Sequence, residues 1–480
     1  MLRVDTPQSR CRFALAHADI TPPANIYHRM WGAATHERAT GIHRPLRATV
    51  TLLAPLDETA PGRQFLIALD HCVLGREELG RLLDSACGHA NVSREQCAVV
   101  FSHTHAAGLM GLERASLPGG DLIAPYLDTL AQRVGDLLLQ TQRSLQPATM
   151  VYGTGRCNLA AHRDFWDEQR RIFACGFNPL EPADDTLLVA KVCGSQGTLA
   201  TLVNYACHPT TLAWGNTLIS PDFPGAMREV VEAATGAPCL FLQGASGELG
   251  PREGFVADPA VADRHGRQLA HAALSTLESL PEPGTCFDYA GPVVSGATIA
   301  TWHHVPITPQ ERHGHELWRR HAEMIPLPLR PGTPTLAQLE KELGEWSGKE
   351  ETAHRAGAAD AARDARAMAE RKRRMFHRLK QLPPGDEFPL EATVLRMGGA
   401  VWVILQGEFY SHLQTRLRAQ FQGVPIVVAT IASHWGASYL PPRELYDRGI
   451  YQESIAVVAA GSLERVIDAV SDQIQRLHLP

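Results

Sequence analysis

The run Val99-Val-Phe-Ser-His-Thr-His105 constrains this 480-residue chain more than any other stretch. An apolar, β-branched run of that length reads as a buried strand, and Ala106-Ala107-Gly108 then releases the chain into a loop. Side chains two apart on a strand share a face, so His103 and His105 are expected to enter one space. Such a pair serves either a metal with its acid/base partner or a buried structural contact, and the run alone does not choose. Around it, 47–54 and 64–70 read as strands, while 76–90 and 126–142 read as helices. Extended segments over 149–206 deliver Cys207-His208; a helix start at Asp222, a strand at 239–243 and a helix at 259–280 follow. These make a first block, 1–306.

Composition then shifts toward Ala, Glu, Arg and Lys, so 307–387 reads as a helical insertion. Within it, 356–374 is expected to be a solvated helix or one facing a second copy. Over 388–480 strands return at 390–396, 401–405 and 424–431, with helices at 409–421 and 452–477. Strands alternating with helices predict an α/β (α+β) body.

A net charge of −6 gives no electrostatic case for a nucleic-acid partner or an anionic membrane. Ten cysteines without a C-x-x-C pair argue for reduced thiols rather than a disulfide framework. The first twenty residues include Arg3, Asp5, Arg10, Arg12, His17 and Asp19, which breaks any signal-peptide core. No stretch is apolar for long enough to insert into a membrane, so a soluble cytoplasmic protein is expected. The glycine-rich stretches lack a nucleotide-binding signature.

The residues able to carry chemistry follow strands, where α/β enzymes assemble their sites: His208, 243–251, Gly407-Glu408 and Tyr439. Imidazole and carboxylate suit zinc, and three protein ligands with one open position is the usual catalytic arrangement. Each also has a plain structural use. His208 suits a buried donor to a carbonyl, Glu408 a helix N-terminal charge, and His434 a surface loop.

Taken in order, the motifs resemble the neutral/alkaline ceramidase family, whose members are zinc-dependent amidases. The resemblance rests on Asp19-Ile-Thr-Pro22, Gly41-Ile-His43, His103-Thr-His105, Asn204-Tyr-Ala-Cys-His208, Gln243-Gly-Ala-Ser-Gly-Glu248, Gly407-Glu408 and the Tyr439 to Tyr451 stretch. It implies a mixed-sheet ceramidase-like catalytic domain with one Zn2+ per chain, held by His103, His208, Glu408 and Tyr439. It further implies His105 beside the reacting water, Arg163 near the active site and Tyr451 as oxyanion donor. Two departures stand out. The family reads Gly-Asp-x-Ser-Pro where this chain has Gly247-Glu-Leu-Gly-Pro251, so Gly250 replaces the family serine. The chain is also expected to lack the family's C-terminal β-sandwich and to carry an added insertion.

The expected function is hydrolysis of an amide in a small N-acyl compound by metal-activated water. Arg163 and Arg252 are candidates to bind a substrate carboxylate, and His434 to line the pocket. The alternatives are an esterase, lactonase or peptidase on the same site, or a non-catalytic metal-binding relative. The insertion is expected to act as a lid or as a homo-oligomer contact.

Overall fold

The structure, a computed structural model, describes residues 2–59 and 61–478. Eight strands form the main sheet, in the order Cys239–Gln243, Gly197–Tyr205, Thr186–Gly194, Gln146–Arg156, Gln8–Asp19, Arg47–Ala54, Gln64–Leu69, Cys97–Phe101. The two outermost pairings are parallel, and the five between them are antiparallel.

Strand periodicity sorts the side chains into two cores. Ala48, Val50 and Leu52 face the helices Arg76–Ala90 and Ile123–Arg143, whereas Leu53 points to the opposite face. At the other end Val203 and Phe241 meet the helices Phe223–Thr235 and Pro259–Glu278, while Leu202 and Leu240 point away. The inner face packs on a second, smaller sheet ordered Trp318–Pro328, Glu387–Met397, Ala400–Leu405, Ile426–Ala429. Its far side carries Val401, Val403 and Leu405 against the helices His412–Gln420 and Ser462–His478. The result is helix, sheet, sheet and helix, which is the α/β reading of the sequence. Among the described residues no helix is long and apolar enough to cross a membrane, and all ten cysteines are free thiols.

Strand ends from both sheets are tied together at one place. Thr430 N donates to Gln243 O (3.0 Å) and Ser433 N to Val99 O (2.8 Å), so residues 430–433 hold both edges of the main sheet. Buried Asn204 adds a two-way link: its Nδ2 donates to Val428 O (2.8 Å) and its Oδ1 accepts from Val428 N (3.0 Å).

The segment 307–387 is not purely helical. Trp318–Pro328 is an edge strand of the small sheet, and its charges hid the strand period. Arg319, Arg320, His321, Glu323 and two prolines are the residues that keep an exposed edge from pairing further. The helices Leu336–Arg355 and Ala359–Lys380 do form a pair, but the second is not simply solvated. Ala362, Ala365, Ala369 and Glu370 are buried, and Arg366 and Arg374 reach Glu37 and the Met30 carbonyl of the body. Glu370 accepts from Arg114 (2.9 Å), Arg373 (2.8 Å) and Arg374 (2.8 Å). The last helix begins at Ser462, because 451–455 is a turn.

Glu370→Gln leaves three guanidinium groups facing one another and is expected to cost about 3–5 kcal/mol at pH 7. Burial pushes the Glu370 pKa up, but Arg374 and Arg114 outweigh it and hold the carboxyl well below its usual range. A depressed pKa contributes stability above the unfolded value and loses it as pH falls toward the folded one. The parent–variant gap in urea midpoint, followed by tryptophan fluorescence, is therefore expected to be full near pH 7 and to shrink below about pH 4.5.

Candidate metal centre

The strand Cys97–Phe101 stops before the histidines, and His103 takes a left-handed conformation with φ +68°. A loop, not strand alternation, therefore brings its ring within 4.9 Å of His105, centroid to centroid. His208 leaves the strand Gly197–Tyr205, and its N donates to Leu249 O (3.1 Å). Glu408 and Tyr439 are direct partners in a two-residue parallel ladder, Glu408–Phe409 beside Tyr439–Leu440. Gly407 precedes Glu408 at φ +116°, where a Cβ would lie 2.9 Å from Leu440, so the turn into the carboxylate requires glycine. Ile431, Ser433, Ser438 and Phe255 also have positive φ close to the site in sequence or space. Backbone strain of this kind costs about 1–3 kcal/mol per residue and gathers at functional sites.

Four side chains converge. His103 Nε2 lies 3.2 Å from His208 Nε2 and 3.4 Å from Glu408 Oε2, and His208 Nε2 lies 3.3 Å from Glu408 Oε2. The Tyr439 hydroxyl is 3.3 Å from His208 Nε2. The other ring nitrogens meet backbone carbonyls: His103 Nδ1 to Cys72 O (2.7 Å) and His208 Nδ1 to Ser246 O (2.6 Å). A carbonyl only accepts, so both Nδ1 atoms carry the proton and both Nε2 atoms of the neutral rings present lone pairs. Two lone pairs and a carboxylate oxygen aimed at one another require a cation between them. A tetrahedral ion with bonds of about 2.0–2.1 Å spaces its ligands about 3.3–3.4 Å apart, so the donor set fits one.

The electrostatics agree. Burial, reinforced by Arg163, drives the His208 pKa down to about 3. Burial also lowers His103, but Cys72 and Glu408 reverse this and raise it well above the ordinary value. Glu408 is pushed up by burial and pulled further down by the two imidazoles. The cluster draws one positive charge inward, as a proton or as a metal. Cys72, His103 and His105 form a second candidate group, but His103 Nδ1 is already committed to the Cys72 carbonyl.

Around the cluster, His105 keeps both ring nitrogens buried and unpartnered. Trp31 stands 5.2 Å from its ring, with Phe255 5.6 Å and Trp214 6.2 Å from Trp31. Phe255 and Trp214 are nearly parallel (24°) and both stand steeply to Trp31, so the three make an aromatic cluster beside His105. Tyr451 is 44 % exposed and meets the Tyr439 ring edge-on at 5.8 Å.

Arg163 is buried and spends its donors on Gly247 O (2.5 and 3.2 Å) and the Tyr439 hydroxyl (3.1 Å). It steadies the Tyr439 hydroxyl instead of offering an open fork to a carboxylate. Arg252 lies over Phe177 in a separate recess of about 240 Å³. His434 lines a cleft of about 820 Å³ between the helix Arg76–Ala90 and the small sheet. Neither cavity is lined by a member of the cluster. At Gly250 a Cβ would make ordinary contacts, 3.5 Å from Thr210 Oγ1 and 3.8 Å from Arg163 Cδ, so packing does not exclude a serine there. The sequence reading missed Cys72 and the backbone role of Ser246, whose carbonyls meet the imidazoles, and the aromatic cluster, which has no spacing signature.

Comparison by sequence finds no matching family model and no matching curated protein. Comparison of folds finds a neutral ceramidase from Pseudomonas aeruginosa, 16 % identical, with a TM-score of 0.65 over 99 % of this chain and 76 % of that one. It also finds a ceramidase complexed with C2, 17 % identical, with a TM-score of 0.63 and the same coverage. The chain thus has a neutral ceramidase-like fold, as its motifs implied.

Purified protein is expected to hold about one divalent ion per chain by mass spectrometry, as one four-ligand site allows. His208→Ala and Glu408→Ala are expected to lose it while keeping the parent circular dichroism.

Proposed function

We propose that this protein is a zinc-dependent hydrolase that cleaves the amide bond of a small N-acyl compound. The observation that carries the reading is the convergence of His103, His208 and Glu408 on one point, beside a His105 whose ring nitrogens have no protein partner. The nitrogen and oxygen donors of the cluster, with Tyr439, suit zinc. Zinc, when bound, acidifies water toward neutral pH and polarises a carbonyl.

The chain's own groups account for the remaining work. Neutral His105 accepts the proton lost by the attacking water and returns it to the leaving nitrogen. The water oxygen bonds to the acyl carbon, the C–N bond breaks, and a carboxylic acid and an amine result. Tyr451, beside Tyr439, donates its hydroxyl to the oxyanion. Arg163 keeps the Tyr439 oxygen in place. Trp31, Trp214 and Phe255 offer an apolar seat for one side of the substrate and keep bulk water from His105. The insertion covers the site, and the substrate is a small molecule.

An ester would meet the same attacking species, so the decisive experiment pairs amides with matched esters on the zinc-loaded protein. Amine release that is abolished by chelation and restored by zinc is expected. His105→Gln is expected to lower kcat/KM by about 10²–10⁴ and Tyr451→Phe by about 10²–10³, each with its metal retained. Turnover of esters alone, or amide turnover indifferent to chelation, would overturn the reading.

A further inference from the structure

The helix Ala359–Lys380 carries four arginines that each reach a carboxylate. Arg363 meets Asp360 and Asp364, Arg366 meets Glu37, and Arg373 and Arg374 meet Glu370. Arg378, one turn beyond, is 7 % exposed and has no carboxylate within ion-pair reach among the described residues. Its Nη1 donates to Ile455 O (3.2 Å), its Cζ lies 4.7 Å from the Trp435 ring centroid, and its buried Nε has no partner. Taking a guanidinium out of water without an anion to receive it is costly. Arg371 is only half-buried, so Arg378 is the buried guanidinium of this helix left ready for an anion of another origin.

Position says which anion. The two neighbours that fix Arg378 belong to the loops of the metal centre: Trp435 lies four residues before Tyr439, and Ile455 four residues after Tyr451. Burial lowers the Arg378 pKa, and the Glu408 carboxylate acts against that shift. Glu408 itself is already engaged by two imidazoles at 3.3 and 3.4 Å. With the face of Arg378 on Trp435 and Nη1 tethered, its buried Nε is left without a protein partner, on the Nε–Nη2 edge whose geometry matches two carboxylate oxygens. Beside His105 stands the aromatic cluster of Trp31, Trp214 and Phe255.

We infer that Arg378, supplied by the inserted helix, binds a carboxylate on the substrate and so restricts the site to anionic amides, of which an N-acyl amino acid is the simplest. The inference rests on the amidase reading for what the site does, but the contact itself is one of binding. It gives the inserted helix pair a task in specificity, and it moves carboxylate recognition from Arg163 and Arg252 to a residue no motif marked.

Two series of matched probes test it by calorimetry on the zinc-loaded protein. One pairs N-acetylated amino acids with their decarboxylated N-acetyl amines; the other pairs N-succinyl amines with N-butyryl amines. In at least one series the carboxylate member is expected to bind about 10²-fold more tightly, as a bidentate charged contact allows. Arg378→Met is expected to level the pair, and Arg378→Lys to restore part of the difference. Arg363→Ala, on the exposed face of the same helix, is expected to keep the difference whole. Equal binding within both series, or a preference that survives in Arg378→Met, overturns the inference. Amine release from the same probes is read separately: a carboxylate preference without release refutes the amidase reading and leaves Arg378 as an anion-binding residue.

Discussion

Everything at the centre of this protein depends on one electrostatic demand. Two imidazole nitrogens and a carboxylate oxygen, 3.2–3.4 Å apart, face one another with lone pairs. Such a cluster is repulsive unless a positive charge lies within it. The backbone carbonyls of Cys72 and Ser246 set the conflict, because by accepting the Nδ1 protons they fix the tautomers that leave Nε2 bare. Ser246 therefore matters through its main-chain oxygen, and its hydroxyl, 3.2 Å from His208 Nδ1, is an accessory contact.

The fold meets that demand by bringing distant strand ends together. His103 comes off one edge of the main sheet and His208 off a strand next to the other edge, and 430–433 holds both edges by backbone hydrogen bonds. Glu408 and Tyr439 reach the same point from the small sheet, locked in register as ladder partners. The positive φ angles at His103, Gly407, Ile431, Ser433 and Ser438 are the local expense of turning the chain sharply at those ends. Only a well-packed pair of sheets can sustain such strain. Trp402, buried between the sheets beside Tyr152, belongs to that support.

The layers and the ligands were legible in the sequence for different reasons. Val99-Val-Phe101, Gln64–Leu69 and Ala400–Leu405 are short apolar runs whose strand character does not depend on distant partners. The candidate ligands came from a resemblance, since His103, His208, Glu408 and Tyr439 have no common spacing and meet only in three dimensions. Local reasoning failed where tertiary packing overrode it. Trp318–Pro328 reads as a polar segment because an edge strand shows its charges to solvent, and 452–461 reads as helix although the chain there turns past the site. The mutual placement of His103 and His105 was anticipated, but for the wrong cause: alternation ends at Phe101 and a left-handed residue does the rest.

The inserted helix is joined to the body at both ends of its charged face. Glu370, with its three guanidinium partners, draws the helix onto the body. Arg374 donates to the carbonyl of Met30, next to Trp31, and Arg378 to that of Ile455, just beyond Tyr451. One helix thereby spans both flanks of the metal centre without supplying a ligand to it. The clustered His103, His208 and Glu408 belong to strand ends, whereas the arginines belong to a segment inserted between two strands of the small sheet. The unpaired Arg378 is the point where the two parts meet. Its charge is fixed by the insertion, and its surroundings are fixed by the Tyr439 and Tyr451 loops.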